Sequence, residues 1–123
     1  MNDLYQEVIL DHAQHPRNFG VLQSPTHTFR EMNASCGDMV EFYLLVQDNK
    51  ILEVKWRGVG CAISTASASI VSEMIQGLSL EEVRKLDAIH VMKRMGISTI
   101  APTREKCLMI PIKAVKQLDM DAK

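Results

Sequence analysis

Apolar residues recur along this chain with two different periods, and the switches between them mark out a helical opening, a run of strands and a helical remainder. Leu4, Tyr5, Val8, Ile9 and His12 fall at helical spacing, and Pro16, Asn18 and Gly20 then stop the pattern. That predicts a short amphipathic helix followed by a partly extended loop. Thr26 to Met32 reads as a first strand. Val40, Phe42, Leu44 and Val46 alternate with Glu41, Tyr43 and Leu45, the period of two that a half-buried strand requires. Asp48-Asn49 supplies a two-residue turn into a third strand, where Leu52, Val54 and Trp56 alternate with Glu53, Lys55 and Arg57. Joined in this order, the three strands make an antiparallel meander.

The helical period then returns. Ile63, Ala66, Ile70 and Met74 form a stripe through residues 62 to 76, with Gly77 placed to end the helix. Ser79-Leu80-Glu81-Glu82 has the form of a capping box, and Asp87 is placed to cap a further helix ending near Gly96. Pro102 suits the first turn of a last helix carrying Cys107, Leu108, Ile112, Val115 and Leu118. Pro111 has no N–H for the carbonyl one turn back, so it either kinks that helix beside Cys107 or marks a later start. The expected fold class is α+β, a three-stranded antiparallel sheet with helices packed on one face. Its 123 residues suit a single domain, 1–123, with a core that stands without disulfides.

Composition narrows the function classes. The 14 basic and 15 acidic side chains nearly cancel, which leaves no footprint for nucleic acid or an anionic membrane. Partners are therefore expected to be proteins. No apolar run approaches the roughly 20 residues that span a bilayer, and Met1-Asn2-Asp3-Leu4 lacks the basic and apolar regions of a secretory leader. Together with an odd number of cysteines, this points to a reducing, cytoplasmic setting. No Gly-rich phosphate loop follows a strand, and Ser64, Ser67 and Ser69 lack a base or oxyanion arrangement.

The chemistry concentrates on Cys36, Cys61 and Cys107. Cys36 belongs to Asn33-Ala34-Ser35-Cys36-Gly37-Asp38, where a thiol and a carboxylate flank one glycine. Both are metal-ligand types, and the glycine permits a positive-φ turn that brings two short side chains to one point. Three sulfurs and one oxygen complete a tetrahedron, with the harder oxygen as the exchangeable donor. Buried core cysteines are the bland alternative. The meander weighs against it, because it brings Cys36, Asp38 and Cys61 to the same end of the sheet. Cys61 also opens a helix, where unpaired N–H groups favour an anion. Arg104 and Lys106 precede Cys107 and are candidates for balancing a thiolate-rich centre, or for an ordinary solvated helix start. His12, His15, His27 and His90 have no cysteine neighbour and are left out of the site.

These segments, in order, resemble the iron-sulfur cluster assembly scaffold family: the IscU and SufU proteins and the amino-terminal domain of NifU. The likeness rests on Asp11-His12, Pro16-Arg17-Asn18-Phe19-Gly20, Cys36-Gly37-Asp38, Gly60-Cys61-Ala62-Ile63-Ser64 and Arg104-Glu105-Lys106-Cys107. It implies the same α+β fold and carries a ligand role onto Cys36, Asp38, Cys61 and Cys107. By the same resemblance, the chain is a scaffold or carrier more than an enzyme in the strict sense. It would take sulfur from a cysteine desulfurase, build a [2Fe-2S] cluster or hold iron, and pass the cluster to acceptor apo-proteins. Cys36, Cys61 and Cys107 are the persulfide acceptor candidates, with Cys107 first by analogy to the IscU type, and Arg104 and Lys106 are supporting residues. The alternative is a SufU-type sulfurtransferase that holds zinc at rest and relays persulfide sulfur. Lys106 stands where the IscU type has histidine, and Ile100-Ala101-Pro102-Thr103-Arg104 departs from the Leu-Pro-Pro-Val-Lys stretch read by that branch's dedicated chaperone. The resemblance does not carry that chaperone onto this chain. The SufU insertion before the third cysteine is absent as well.

Overall fold

A computed structural model describes residues 3–33 and 37–121 of the chain. Helix α1 (Asp3–Gln14) leads into strands β1 (His27–Met32), β2 (Met39–Gln47) and β3 (Lys50–Val59). Four helices follow: α2 (Ala62–Ile75), α3 (Leu80–Arg84), α4 (Ala88–Met95) and α5 (Pro102–Asp121). The sheet has the order β1-β2-β3 with both pairings antiparallel, so the expected α+β meander is the observed one. Asp48 and Asn49 both take positive φ, 53° and 65°, which is the twist-matching hairpin geometry that a two-residue turn needs.

The register of β3 departs from the alternation expected of it. Ile51, Val54 and Trp56 are buried, whereas Leu52 is 44% exposed. A bulge in β3 leaves Leu52 out of the pairing, with Leu45 opposite Glu53 and Val46 opposite Ile51, and this turns Ile51 inward in place of Leu52. A similar correction applies to α2. Its expected stripe is narrower than its buried surface, since Ser64, Ser67, Ser69 and Ser72 are buried along with Ala66, Ala68, Ile70, Val71 and Ile75, while Ile63 and Met74 are only partly covered. The helix packs against α1, α5 and β3 together, so nearly every face of it is interior.

Helix ends follow their local chemistry. Ser79 and Glu82 close a capping box on α3, Asp87 and His90 close one on α4, and Gly96 ends α4 at φ +80°. α5 begins at Pro102 and runs through Pro111 to Asp121, so Pro111 does not mark a later start.

The loop after α1 is fastened to α2 and β3 by polar contacts. Arg17 N–H donates to Ser69 Oγ at 2.9 Å, Asn18 Nδ2 to Ser72 Oγ at 3.0 Å and Trp56 Nε1 to the Arg17 carbonyl at 2.8 Å. His12 Nδ1 lies 2.7 Å from Ser69 Oγ, and Arg17 pairs with Asp11 at 2.6 Å. Burial, then the Arg17 charge, holds the His12 imidazole below its ordinary 6.5, with Glu73 and Asp11 pulling the other way. The unfolded chain therefore binds this proton more tightly than the folded one. Stability is full above about 6.5 and falls as pH drops from there toward the folded value. We expect the urea midpoint to decline between pH 7 and 5.5 and to decline less in His12→Gln; equal slopes would remove His12 from the account.

Candidate metal centre

The connection between β1 and β2 is tight. Gly37 N–H donates to the Asn33 carbonyl at 2.8 Å, Asn33 N–H donates to the Asp38 carbonyl at 2.9 Å, and Gly37 takes φ +78°. Only glycine adopts that conformation without strain, as the sequence anticipates. It delivers Asp38 to the position just ahead of β2, and the pairing of Met39 with Val59 sets Asp38 against Gly60 on the neighbouring strand's exit. Although it sits beside a surface turn, Asp38 is buried at 8% exposure.

Cys61 is the N-cap of α2, with extended φ and ψ, and its thiol makes no capping bond. Its N–H points at Asp38 Oδ2, 3.4 Å away. The first turn behind it is locked on the Cys61 carbonyl, which accepts from Ser64 Oγ and from Thr65 N–H, each at 3.0 Å. Cys107 arrives from the opposite side on α5, also 8% exposed, with its Sγ 3.7 Å from the Thr103 carbonyl. One ligand atom from each of Asp38, Cys61 and Cys107 lies within 4.8 Å of the other two. Donors on a tetrahedral ion at about 2.0–2.3 Å stand roughly 3.3–3.8 Å apart, so an ångström of closure suffices. Two thiols and a carboxylate suit zinc or iron.

Among the described residues no other set of three His, Cys, Asp or Glu side chains converges in this way. Cys36 lies outside the described residues, although the segment that carries it is bounded by Asn33 and Asp38. Arg104 and Lys106 are exposed on the opening turns of α5, with Arg104 three residues before Cys107. His12 belongs to the Ser69 network and not to this cluster.

Sequence reasoning missed two contributors. A Cβ on Gly60 would stand 2.2 Å from Ser64 Oγ, 3.0 Å from Asp38 Cγ and 3.1 Å from Asp38 Oδ2, so the absence of a side chain there is what lets the carboxylate approach the α2 terminus. Ser64 is 8% exposed and braces the Cys61 carbonyl. Both stand in the Gly60-Cys61-Ala62-Ile63-Ser64 segment that carries the resemblance, but residue type alone gave neither of them a role.

A three-stranded meander backed by helices, with two thiols and a carboxylate gathered where the sheet meets α2 and α5, defines a class of small α+β protein with a thiol-carboxylate centre. The chain belongs to the NifU-like N terminal domain family, whose model matches residues 4–118, and within it to the IscU and SufU scaffold group. It is 33% identical over 93 residues to the iron-sulfur cluster assembly scaffold protein IscU 1 of Archaeoglobus fulgidus. That match covers 76% of this chain and 61% of the relative, so the chain spans less than two thirds of that relative's length. It is 34% identical over 134 residues to the zinc-dependent sulfurtransferase SufU of Bacillus subtilis, covering 95% of this chain and 90% of the relative. A crystal structure described as a SUF-system scaffold from Fervidobacterium islandicum superimposes with a TM-score of 0.81 at 27% identity, covering 94% of this chain and 96% of that one.

Proposed function

We propose that this chain, acting as one domain, is a carrier that accepts sulfur from a cysteine desulfurase, assembles a [2Fe-2S] cluster and hands it to acceptor proteins in the cytoplasm. Cys36, Asp38, Cys61 and Cys107 are its ligands. The observation that carries this reading is the approach of the Asp38, Cys61 and Cys107 donor atoms to within 4.8 Å of one another. Membership of the scaffold group supports it. Among the described residues no helix is long and apolar enough to cross a membrane.

Sulfur acceptance needs only thiol chemistry. A cysteine thiolate of this chain attacks the outer sulfur of the desulfurase persulfide, a new S–S bond forms, the old one breaks, and the desulfurase thiolate leaves with the bonding pair. No external oxidant is consumed. Reducing each transferred sulfur to the sulfide of a cluster takes two electrons from an outside donor. Cys61, partly exposed, is open to attack, while Cys107 is buried and requires the mouth of the site to open first. Asp38, as the hard oxygen donor, is the ligand suited to exchange when the cargo leaves.

The 34% identity to a zinc-dependent sulfurtransferase favours a second reading, in which zinc occupies the same side chains at rest and the chain relays persulfide without building a cluster. Metal analysis of anaerobically purified protein, followed by addition of iron, cysteine and a desulfurase, separates the two. The scaffold reading expects a visible chromophore with iron and sulfide in equal amounts. Retention of one zinc with no chromophore, together with an accelerated desulfurase, would establish the relay in its place.

A further inference from the structure

Helices α2 and α5 each bring one thiol to the centre, and one buried hydrogen bond ties the two helices together close behind those thiols. Ser67, wholly buried and six residues after Cys61, donates its hydroxyl proton to the Leu108 carbonyl at 2.7 Å. Leu108 directly follows Cys107. The other buried serines of α2 are engaged elsewhere. Ser64 bonds the Cys61 carbonyl, Ser69 meets Arg17 and His12, and Ser72 bonds the Ser69 and Arg17 carbonyls.

We propose that Ser67 is a positioning residue for the metal centre, its hydroxyl clipping α5 to α2 at the height that brings Cys107 and Cys61 within reach of one ion. The inference rests on the metal-binding reading of the preceding subsection. The clip sets a spacing and touches no donor atom. A slide of α5 along α2 alters the separation of the two sulfurs directly, because each thiol sits close to the clip on its own helix. Hydrogen bonds that orient metal-binding groups are commonly worth about 10- to 100-fold in metal affinity, and the clip is expected at the lower end.

Cobalt(II) reports on both affinity and geometry through its thiolate charge-transfer and d–d bands. Anaerobic protein is titrated with cobalt against a competing chelator at 10 °C, for wild type, Ser67→Ala and Ser72→Ala. Ser72→Ala removes an equally buried hydroxyl of the same helix that does not reach α5. We expect Ser67→Ala to lose roughly tenfold in cobalt affinity and to shift its bands, while Ser72→Ala keeps wild-type values for both. The rise in melting temperature on adding cobalt should likewise be smaller for Ser67→Ala than for Ser72→Ala, a difference that survives a general loss of stability in either variant. Unchanged binding in Ser67→Ala, or equal losses in the two variants, would overturn the positioning role. A wild-type protein that takes up no cobalt would overturn the metal-binding reading, and the clip with it.

Discussion

Alanine at position 60 is expected to weaken zinc binding by up to about 100-fold while moving the melting temperature by only a few degrees. The added Cβ would fall 2.2 Å from Ser64 Oγ and 3.0 Å from the Asp38 carboxyl carbon. The serine hydroxyl can rotate aside, although it then gives up its bond to the Cys61 carbonyl. Asp38 has less freedom, because its backbone is held by Asn33 and by the start of β2. The carboxylate is therefore pushed away from the α2 terminus, and the centre loses its oxygen donor and the alignment of Cys61 in one step. Position 60 is exposed and lies between β3 and α2, so the fold itself has little to lose. Chelator competition for zinc, with circular dichroism melts on the same samples, checks both halves. Wild-type affinity in Gly60→Ala would show that the Asp38 carboxylate takes no part in binding.

The largest effect on stability is expected from Trp56→Ala, about 3–5 kcal/mol, out of the roughly 5–15 kcal/mol that holds a domain of this size together. Trp56 is 2% exposed and meets Phe19 edge-on at 5.0 Å and Phe42 in a stacked arrangement at 6.5 Å. Its indole N–H bonds the Arg17 carbonyl, and its backbone exchanges hydrogen bonds with Asn18 and Gly20 on the free edge of β3. Removing the ring opens a cavity and leaves the 17–20 loop without its anchor. We expect the melting temperature to fall by more than about 10 °C. Because β3 leads straight into Gly60 and Cys61, metal affinity should fall with it. A drop of only a few degrees would mean that the loop and the ring are not a mutual support.

Most of the fold was legible because its signals are local. The Asp48-Asn49 turn, the capping residues Ser79 and Asp87 and the terminator Gly96 each act through their own backbone, and each appears where the sequence places it. The failures came where tertiary packing decides. Ile51 and Leu52 are both apolar, so alternation alone does not choose between them, and a bulge at Leu52 made the choice. The apolar stripe of α2 leaves its serines out, and it is three neighbouring elements that enclose them, with Ser67 bonded across to α5.

The site was legible to the same depth. Gly37 between a thiol and a carboxylate, and the return of the meander to one end, gave Asp38 and Cys61 their proximity from local rules and topology. The joining of Cys107 to them depends on how α5 crosses α2, which no periodicity encodes. Gly60 and Ser64 matter through atoms that approach across the chain, and residue type alone does not announce such contacts.

Zinc K-edge X-ray absorption on protein loaded with one equivalent of zinc bears on the thiol-carboxylate centre most directly. The account predicts a shell of three sulfurs at about 2.3 Å and one oxygen at about 2.0–2.2 Å, with a sulfur lost in Cys61→Ser and in Cys107→Ser. A shell of nitrogen and oxygen alone, unchanged by either substitution, would contradict it.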